Sequence, residues 1–274
     1  MNLSPESGSP LERVSVREVM VPCPAFLEPR DPVTRARAVM RDGGIRVAPV
    51  AVGGRLEGIV RARDVMRVTS TRSNIPISGV MLPPLPLITP ADSVGRAVSE
   101  MVEEGLREAP VVQSHTDRTV VGMIRLDEVL RLTAGSAAGS VRVSEAMTAD
   151  VISCSPEDEI SRVWDLMERG GISGIPVVRK DGGKMAVIGM VTVSDLIRSG
   201  AVRLSHESGK GRSASRVKSV MRTPVVTVQP DTLLSRAAEI MAEKRIGRLP
   251  VVSGGNLVGI LSVSDVLRIM EGKQ

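Results

Sequence analysis

Aromatic side chains are almost missing from this 274-residue chain, which has one Phe (Phe26), one Trp (Trp164) and no Tyr. That scarcity removes the stacking platforms on which single-stranded nucleic acids are bound. Cysteine is nearly as rare. Cys23 and Cys154 fall in equivalent early segments of two repeats described below, and they form no metal-ligand spacing. The only two histidines, His115 and His206, lie in segments that read as loops, so no metal site is expected. No stretch approaches the ~20 apolar residues of a membrane span. The polar, Ser/Pro-rich start carries no apolar run of signal-peptide type, and a cytoplasmic protein is expected. No nucleophile–base pair or paired-acid constellation emerges, which argues against an enzyme.

What is present is aliphatic. The chain is 42% hydrophobic with 14 Met, so its core must be built from Val, Ile, Leu, Met and Ala. Thirty-six basic residues face 31 acidic ones, for a net charge of +5. A pI near 9.7 admits an anionic partner, but the surface is of mixed sign. The length suits one large domain or two compact ones.

A repeat settles the organisation. Met20, Pro29, Met40 and Pro49 recur in the same frame as Met81, Pro90, Met101 and Pro110, as Met147, Pro156, Met167 and Pro176, and as Met221, Pro230, Met241 and Pro250. A glycine six residues before an acid closes each set: Gly58/Asp64, Gly122/Glu128, Gly189/Asp195 and Gly259/Asp265. Each unit is too small to bury a comfortable core alone, so pairing is expected.

The fourth copy reads most clearly. Val225–Val228 is a short β-branched strand ended by Pro230, and Leu234, Ala237, Ala238 and Met241 then fall at helical spacing. Leu249–Val252 and Leu257–Leu261 flank the hairpin turn Ser253–Asn256, and a helix over Val263–Met270 follows. The order is β-α-β-β-α, an α/β unit. Ile160, Val163, Trp164 and Met167 form the corresponding helix stripe of the third copy, which makes Trp164 a core residue and a fluorescence reporter for that half of the chain. Thr133 to Ser140 reads as the boundary between two halves. Ser205 to Ser215, with Lys210 and Arg212, reads as an exposed insertion in the second half.

The strand segments around Pro49, Pro110, Pro176 and Pro250, and the segments Gly189–Asp195 and Gly259–Asp265, resemble cystathionine-β-synthase (CBS) repeats. The likeness covers roughly residues 14 to 270 and leaves no separate catalytic domain. It implies repeats over residues 14–70, 75–132, 141–200 and 215–271, paired into Bateman modules over 14–132 and 141–271. Arg245–Pro250 is similar to the nucleotide-sensing γ subunits of AMP-activated protein kinase. The resemblance implies clefts that hold an adenosine ligand: adenine against the first strand and the strand before Pro, ribose on the Asp of a Ser/Thr-x-x-Asp segment, and phosphate near the Ser/Thr and basic residues. In the second module this points to Thr148, Val151, Ser173, Ile175, Pro176, Thr192, Ser194 and Asp195. It also points to Thr223, Val225, Arg245, Gly247, Arg248, Leu249, Pro250, Ser262, Ser264 and Asp265.

The chemistry fits, since an ionised Asp accepts from both ribose hydroxyls, and a Ser/Thr at a helix start is a natural anion seat. The same pattern also fits an N-cap with an acid three residues on. The first module departs from it, with Arg61 and Arg125 in the hydroxyl positions and Glu128 in place of Asp. There Arg46, Arg61 and Arg63 suit either a phosphate-rich ligand or a solvated basic face. Ile172-Ser173-Gly174 lacks the arginines of the fourth copy, so the two clefts of the second module are expected to differ toward charged ligands. The expectation is a non-enzymatic sensor of AMP, ADP or ATP, read by a protein partner or by self-association as a homodimer. S-adenosylmethionine, nucleic acid, or a ligand-free oligomerisation role stand as alternatives.

Overall fold

The computed structural model describes residues 9–68, 75–133, 140–200 and 215–272. The Ser205–Ser215 insertion lies outside the described residues apart from its last position, as does most of the Thr133–Ser140 boundary. Each copy supplies one helix, one hairpin and a second helix. These are α1 (Val33–Gly43), β1 (Val47–Val52), β2 (Arg55–Arg61) and α2 (Ala62–Met66) in the first. The second has α3 (Val94–Glu103), β3 (Glu108–Val112), β4 (Val120–Arg125) and α4 (Leu126–Thr133). The third has α5 (Ile160–Arg169), β5 (Gly174–Asp181), β6 (Lys184–Thr192) and α6 (Val193–Ser199). The fourth has α7 (Leu234–Lys244), β7 (Arg248–Ser253), β8 (Asn256–Ser262) and α8 (Val263–Met270).

The hairpins follow their turn chemistry. Gly254 and Gly255, at φ 58° and 85°, close β7 onto β8 with the two left-handed residues that a tight hairpin needs. The expected first strand is different. The segment before each first helix makes only one ladder contact at each end, as at Thr148 with Ile260 and at Cys154 with Val177. It starts antiparallel against the hairpin of the other copy in its module and ends parallel to its own. A stretch that crosses between two sheets cannot extend along either.

This crossing explains the repeated frame. Met20 and Val21 lie over Gly122, Met81 and Leu82 over Gly58, Met147 over Gly259, and Met221 and Arg222 over Gly189. A Cβ on Gly58 would stand 2.7 Å from the carbonyl oxygen of Leu82, and one on Gly122 2.9 Å from that of Val21. Each first Pro then takes a bond from the other copy: Ser78 donates its backbone N–H to Pro29, Arg17 to Pro90, Lys218 to Pro156 and Ser144 to Pro230. The second Met of each frame lies on a helix, and Met40, Met101, Met167 and Met241 are all buried. The frame therefore encodes pairing of the first copy with the second and of the third with the fourth.

The modules join through their helices. One hydrophobic core gathers Val98, Met101, Leu126 and Leu130 of the second copy with Ala237, Met241, Val266 and Leu267 of the fourth. The other gathers Ala36, Met40, Val65 of the first copy with Val163, Trp164, Met167 and Leu196 of the third. Apolar helix stripes too narrow for a solitary unit are thus covered twice. The four strand starts, at Arg46–Val47, Arg107–Glu108, Ser173–Gly174 and Gly247–Arg248, meet where the modules touch. No helix among the described residues is long and apolar enough to cross a membrane.

Candidate functional site

A cavity of about 710 Å³ opens at that meeting point. Thr192 and Ser194 at the start of α6, Thr223 and Val225 of the crossing segment, and Gly247 and Arg248 at the start of β7 line one side. Ile246, Met190 and Met221 supply aliphatic surface, and Arg46, Arg107 and Arg125 enter from the first module. The size lies within the range of roughly 300–1,000 Å³ usual for small-molecule sites.

The acids at the helix starts are caps, with one oxygen left over. Thr192 donates its backbone N–H (3.0 Å) and its hydroxyl (2.5 Å) to Oδ2 of Asp195. Asp195 returns its N–H to the Thr192 hydroxyl at 3.3 Å. Ser262 and Asp265 repeat this pattern, at 2.8 and 2.7 Å to Oδ2. Capping therefore uses Oδ2 and leaves Oδ1 for another partner, so cap and ligand-binding roles are compatible. In Asp195 that oxygen accepts from Arg222 Nε at 2.6 Å. Among the described residues, Oδ1 of Asp265 has no hydrogen-bond partner.

Three arginines converge on the cavity. Arg46 donates to the hydroxyl of Ser194 at 2.9 Å, Arg248 to that of Ser173 at 2.6 Å, and Arg107 to the carbonyl of Gly247 at 3.3 Å. Among the described residues no carboxylate lies within ion-pair distance of these three guanidinium groups. Burial, and then the charges of Arg46 and Arg248, hold Arg107 well below the ordinary arginine value. Burial and Arg46 lower Arg248 to about 10, against the opposing pull of Asp265. Partly buried cations held by neutral acceptors form an anion seat.

Arg245 adds a backbone signature. The residue after the first helix is left-handed in every copy, and Gly44, Gly105 and Gly171 serve at φ 63°, 65° and 60°. The fourth copy holds Arg245 there at φ 52°, the one non-glycine residue with positive φ among those described. That conformation costs a residue with a Cβ about 1 kcal/mol. Its side chain borders the cavity.

The corresponding cleft of the first module is small. Arg61, Ala62 and Arg63 face Gly105, Leu106 and Arg107 across a space of about 90 Å³. Arg61 fills the hydroxyl position and pairs with Asp64 at 2.7 Å, and Glu128 pairs with Arg131 at 2.8 Å. Arg46 is not on a solvated face, because it reaches into the second module. Trp164 is buried as expected but borders this small space and not the large cavity, so its fluorescence reports on the contact between modules.

The candidate residues of the second module thus divide. Thr192, Ser194, Thr223, Val225, Arg245, Gly247 and Arg248 line the large cavity, and Asp195 sits behind Arg222. Ile175 and Leu249 are wholly buried in the two cores, and Pro176 and Pro250 are buried beside them, so their backbone is what a ligand would meet. Ser173 borders the small space instead, and Arg248 donates to its hydroxyl from the rim of the large cavity. Thr148, Val151, Ser262, Ser264 and Asp265 line neither of these two spaces. Sequence reasoning missed Arg107 and Arg222. Arg46 and Arg107 occupy one frame position, three residues before Pro49 and Pro110, which was the available signal. Cys154 is no nucleophile, since burial pushes its thiol up to about 12. No cluster of His, Cys, Asp and Glu able to hold a metal occurs among the described residues.

Comparison with known proteins agrees with this fold. The family model for the CBS domain matches residues 16–70, 77–135, 143–201 and 217–272. An uncharacterized protein of Methanocaldococcus jannaschii is 27% identical over 268 residues, 92% of this chain and 61% of the relative. Inosine-5'-monophosphate dehydrogenase of Mycobacterium tuberculosis is 28% identical over 244 residues, 84% of this chain and 41% of the enzyme. The chain therefore spans less than two thirds of these curated relatives. Among solved structures, a Methanocaldococcus jannaschii protein proposed as an archaeal homologue of the AMP-activated kinase γ subunit shares the fold, with a TM-score of 0.80 and 22% identity. The match covers 93% of this chain and 99% of that one. A conserved protein of Pyrococcus horikoshii follows, at TM-score 0.63 and 21% identity, covering 94% of this chain and 100% of that one.

Proposed function

Because the chain belongs to the CBS-domain family, with four copies in two Bateman modules, we propose that it is a non-enzymatic sensor of a phosphorylated adenosine ligand. The ligand occupies the cavity between the third and fourth repeats. Its base lies against Ile246, Val225 and the backbone before Pro250, its ribose on Asp195, and its phosphate among Arg46, Arg107 and Arg248. The observation that carries this reading is the convergence of three arginines without carboxylate partners on one cavity of nucleotide size. An anion there relieves repulsion that the ligand-free chain must bear.

Two of those arginines come from the first module. The ligand therefore joins all four repeats, and its binding shifts the balance between arrangements of the two modules. Both modules belong to one chain, so a second copy is not needed to complete the cavity.

Calorimetry on the full chain with AMP, ADP, ATP and S-adenosylmethionine tests the proposal. Binding by a phosphorylated nucleotide, weakened by Asp195→Ala about tenfold or more, is expected for loss of a charge-assisted pair. No heat with any of the four would sink the sensor reading. Binding indifferent to Asp195→Ala would move the ligand to another cleft.

A further inference from the structure

We infer that Arg222 occludes the carboxylate of Asp195 in the ligand-free chain, and so makes this cleft select anionic adenosine derivatives over neutral or cationic ones. The inference rests on the adenosine reading above and names what that cleft discriminates.

The ion pair is lopsided. The Asp195 side chain is 3% exposed, while that of Arg222 is 58% exposed and borders the cavity. Arg198 stands farther off, 3.5 Å from the same oxygen. The Arg222 backbone is fixed by two bonds with Met190, at 2.8 and 3.1 Å, so only its side chain has room to move. With Oδ2 committed to the cap, Oδ1 is the oxygen that ribose must win from Arg222.

In the first copy the arginine on Asp64 is Arg61, from the cap position itself; only the fourth copy's crossing segment brings an arginine to the acid of its partner copy. The residues following the first Met of the frame are Val21, Leu82, Thr148 and Arg222. The first three carry no charge. Oδ1 of Asp265 is left without a hydrogen-bond partner among the described residues, while Arg222 closes that of Asp195.

The consequence follows from charge. A neutral nucleoside displaces Arg222 and offers it nothing in exchange. A sulfonium-bearing ligand adds a cation beside Arg222 and Arg248. A phosphate gives the released guanidinium an anion at the edge of the seat formed by Arg46, Arg107 and Arg248. Arg222 is thus a specificity-determining residue, since it penalises all ligands but compensates only the anionic ones.

The test uses the full chain carrying Asp265→Asn, so that the Asp195 cleft reports alone. Affinities for adenosine, AMP and S-adenosylmethionine are measured by calorimetry with and without Arg222→Gln. The expected result is that Arg222→Gln tightens adenosine about fivefold or more and narrows the AMP-to-adenosine preference about tenfold. A preference unchanged within about twofold overturns the inference. Arginine Nε–H signals in the ligand-free protein provide a second readout. Arg222 is expected to show a protected signal that moves in Asp195→Asn, and a signal indifferent to that change also overturns the inference. If no ligand binds either form while the signal still follows Asp195, the ion pair stands, but the adenosine reading and the selectivity both fall.

Discussion

Arg107, in the second repeat, lays its guanidinium over Gly247 in the fourth and donates to that residue's carbonyl oxygen at 3.3 Å. A Cβ at Gly247 would stand 2.6 Å from the Arg107 Cζ. The first module, whose own cleft is closed by Arg61 and Asp64, thus serves the second as a donor of charge.

Three like charges held close, with Asp127, Glu108 and Asp265 near but none at ion-pair distance, destabilise the empty chain. Arg107→Met is expected to raise the melting temperature in anion-free buffer and to shrink the rise produced by added inorganic phosphate. A variant that melts lower, with an undiminished phosphate response, would place the anion elsewhere. Thermal scans across phosphate concentration measure both quantities.

The frame glycines are sites of close approach. Gly58→Ala or Gly122→Ala pushes a methyl group against the backbone carbonyl of Leu82 or Val21, and either is expected to cost about 2–3 kcal/mol. Denaturant unfolding reads the loss. A cost below about 0.5 kcal/mol would mean that the crossing segment is not clamped as described.

Glu108 provides a pH signature. Its buried carboxylate accepts backbone N–H bonds from Arg46 and from Val47, the latter at 2.8 Å, with Arg125 at 3.7 Å. Burial raises its pKa above the ordinary carboxylate value, outweighing those bonds. A raised folded pKa means that the folded state holds its proton more tightly. Its contribution to stability is full at acid pH and is lost as pH rises through the folded value. Relative to Glu108→Gln, the native chain should therefore lose stability between acid and neutral pH. A stability difference flat across that window would contradict the assignment.

Much of this architecture was legible because the copies repeat. The Met, Pro and Gly frame marked four units, and the stripe of Ile160, Val163, Trp164 and Met167 marked a buried helix face. The frame could not say that Met147 lies on Gly259 and Met221 on Gly189, since a repeat read along the chain does not reveal which copy crosses to which. Thr192 and Ser262 were visible as caps, but the use of one carboxylate oxygen and the release of the other is a matter of geometry. Arg107, and the module that Arg46 serves, were hidden for a related reason. Their role arises only when helices of the two modules pack, which brings strand starts far apart in the chain to one point.

The claim that both modules read the phosphate is tested most directly by titrating AMP and adenosine into the native chain and into Arg107→Met. The account predicts that AMP binding weakens about tenfold or more, in keeping with the loss of a charge-assisted hydrogen bond, while adenosine binding stays within about twofold. AMP binding unchanged by Arg107→Met, or AMP and adenosine weakened alike, would contradict it.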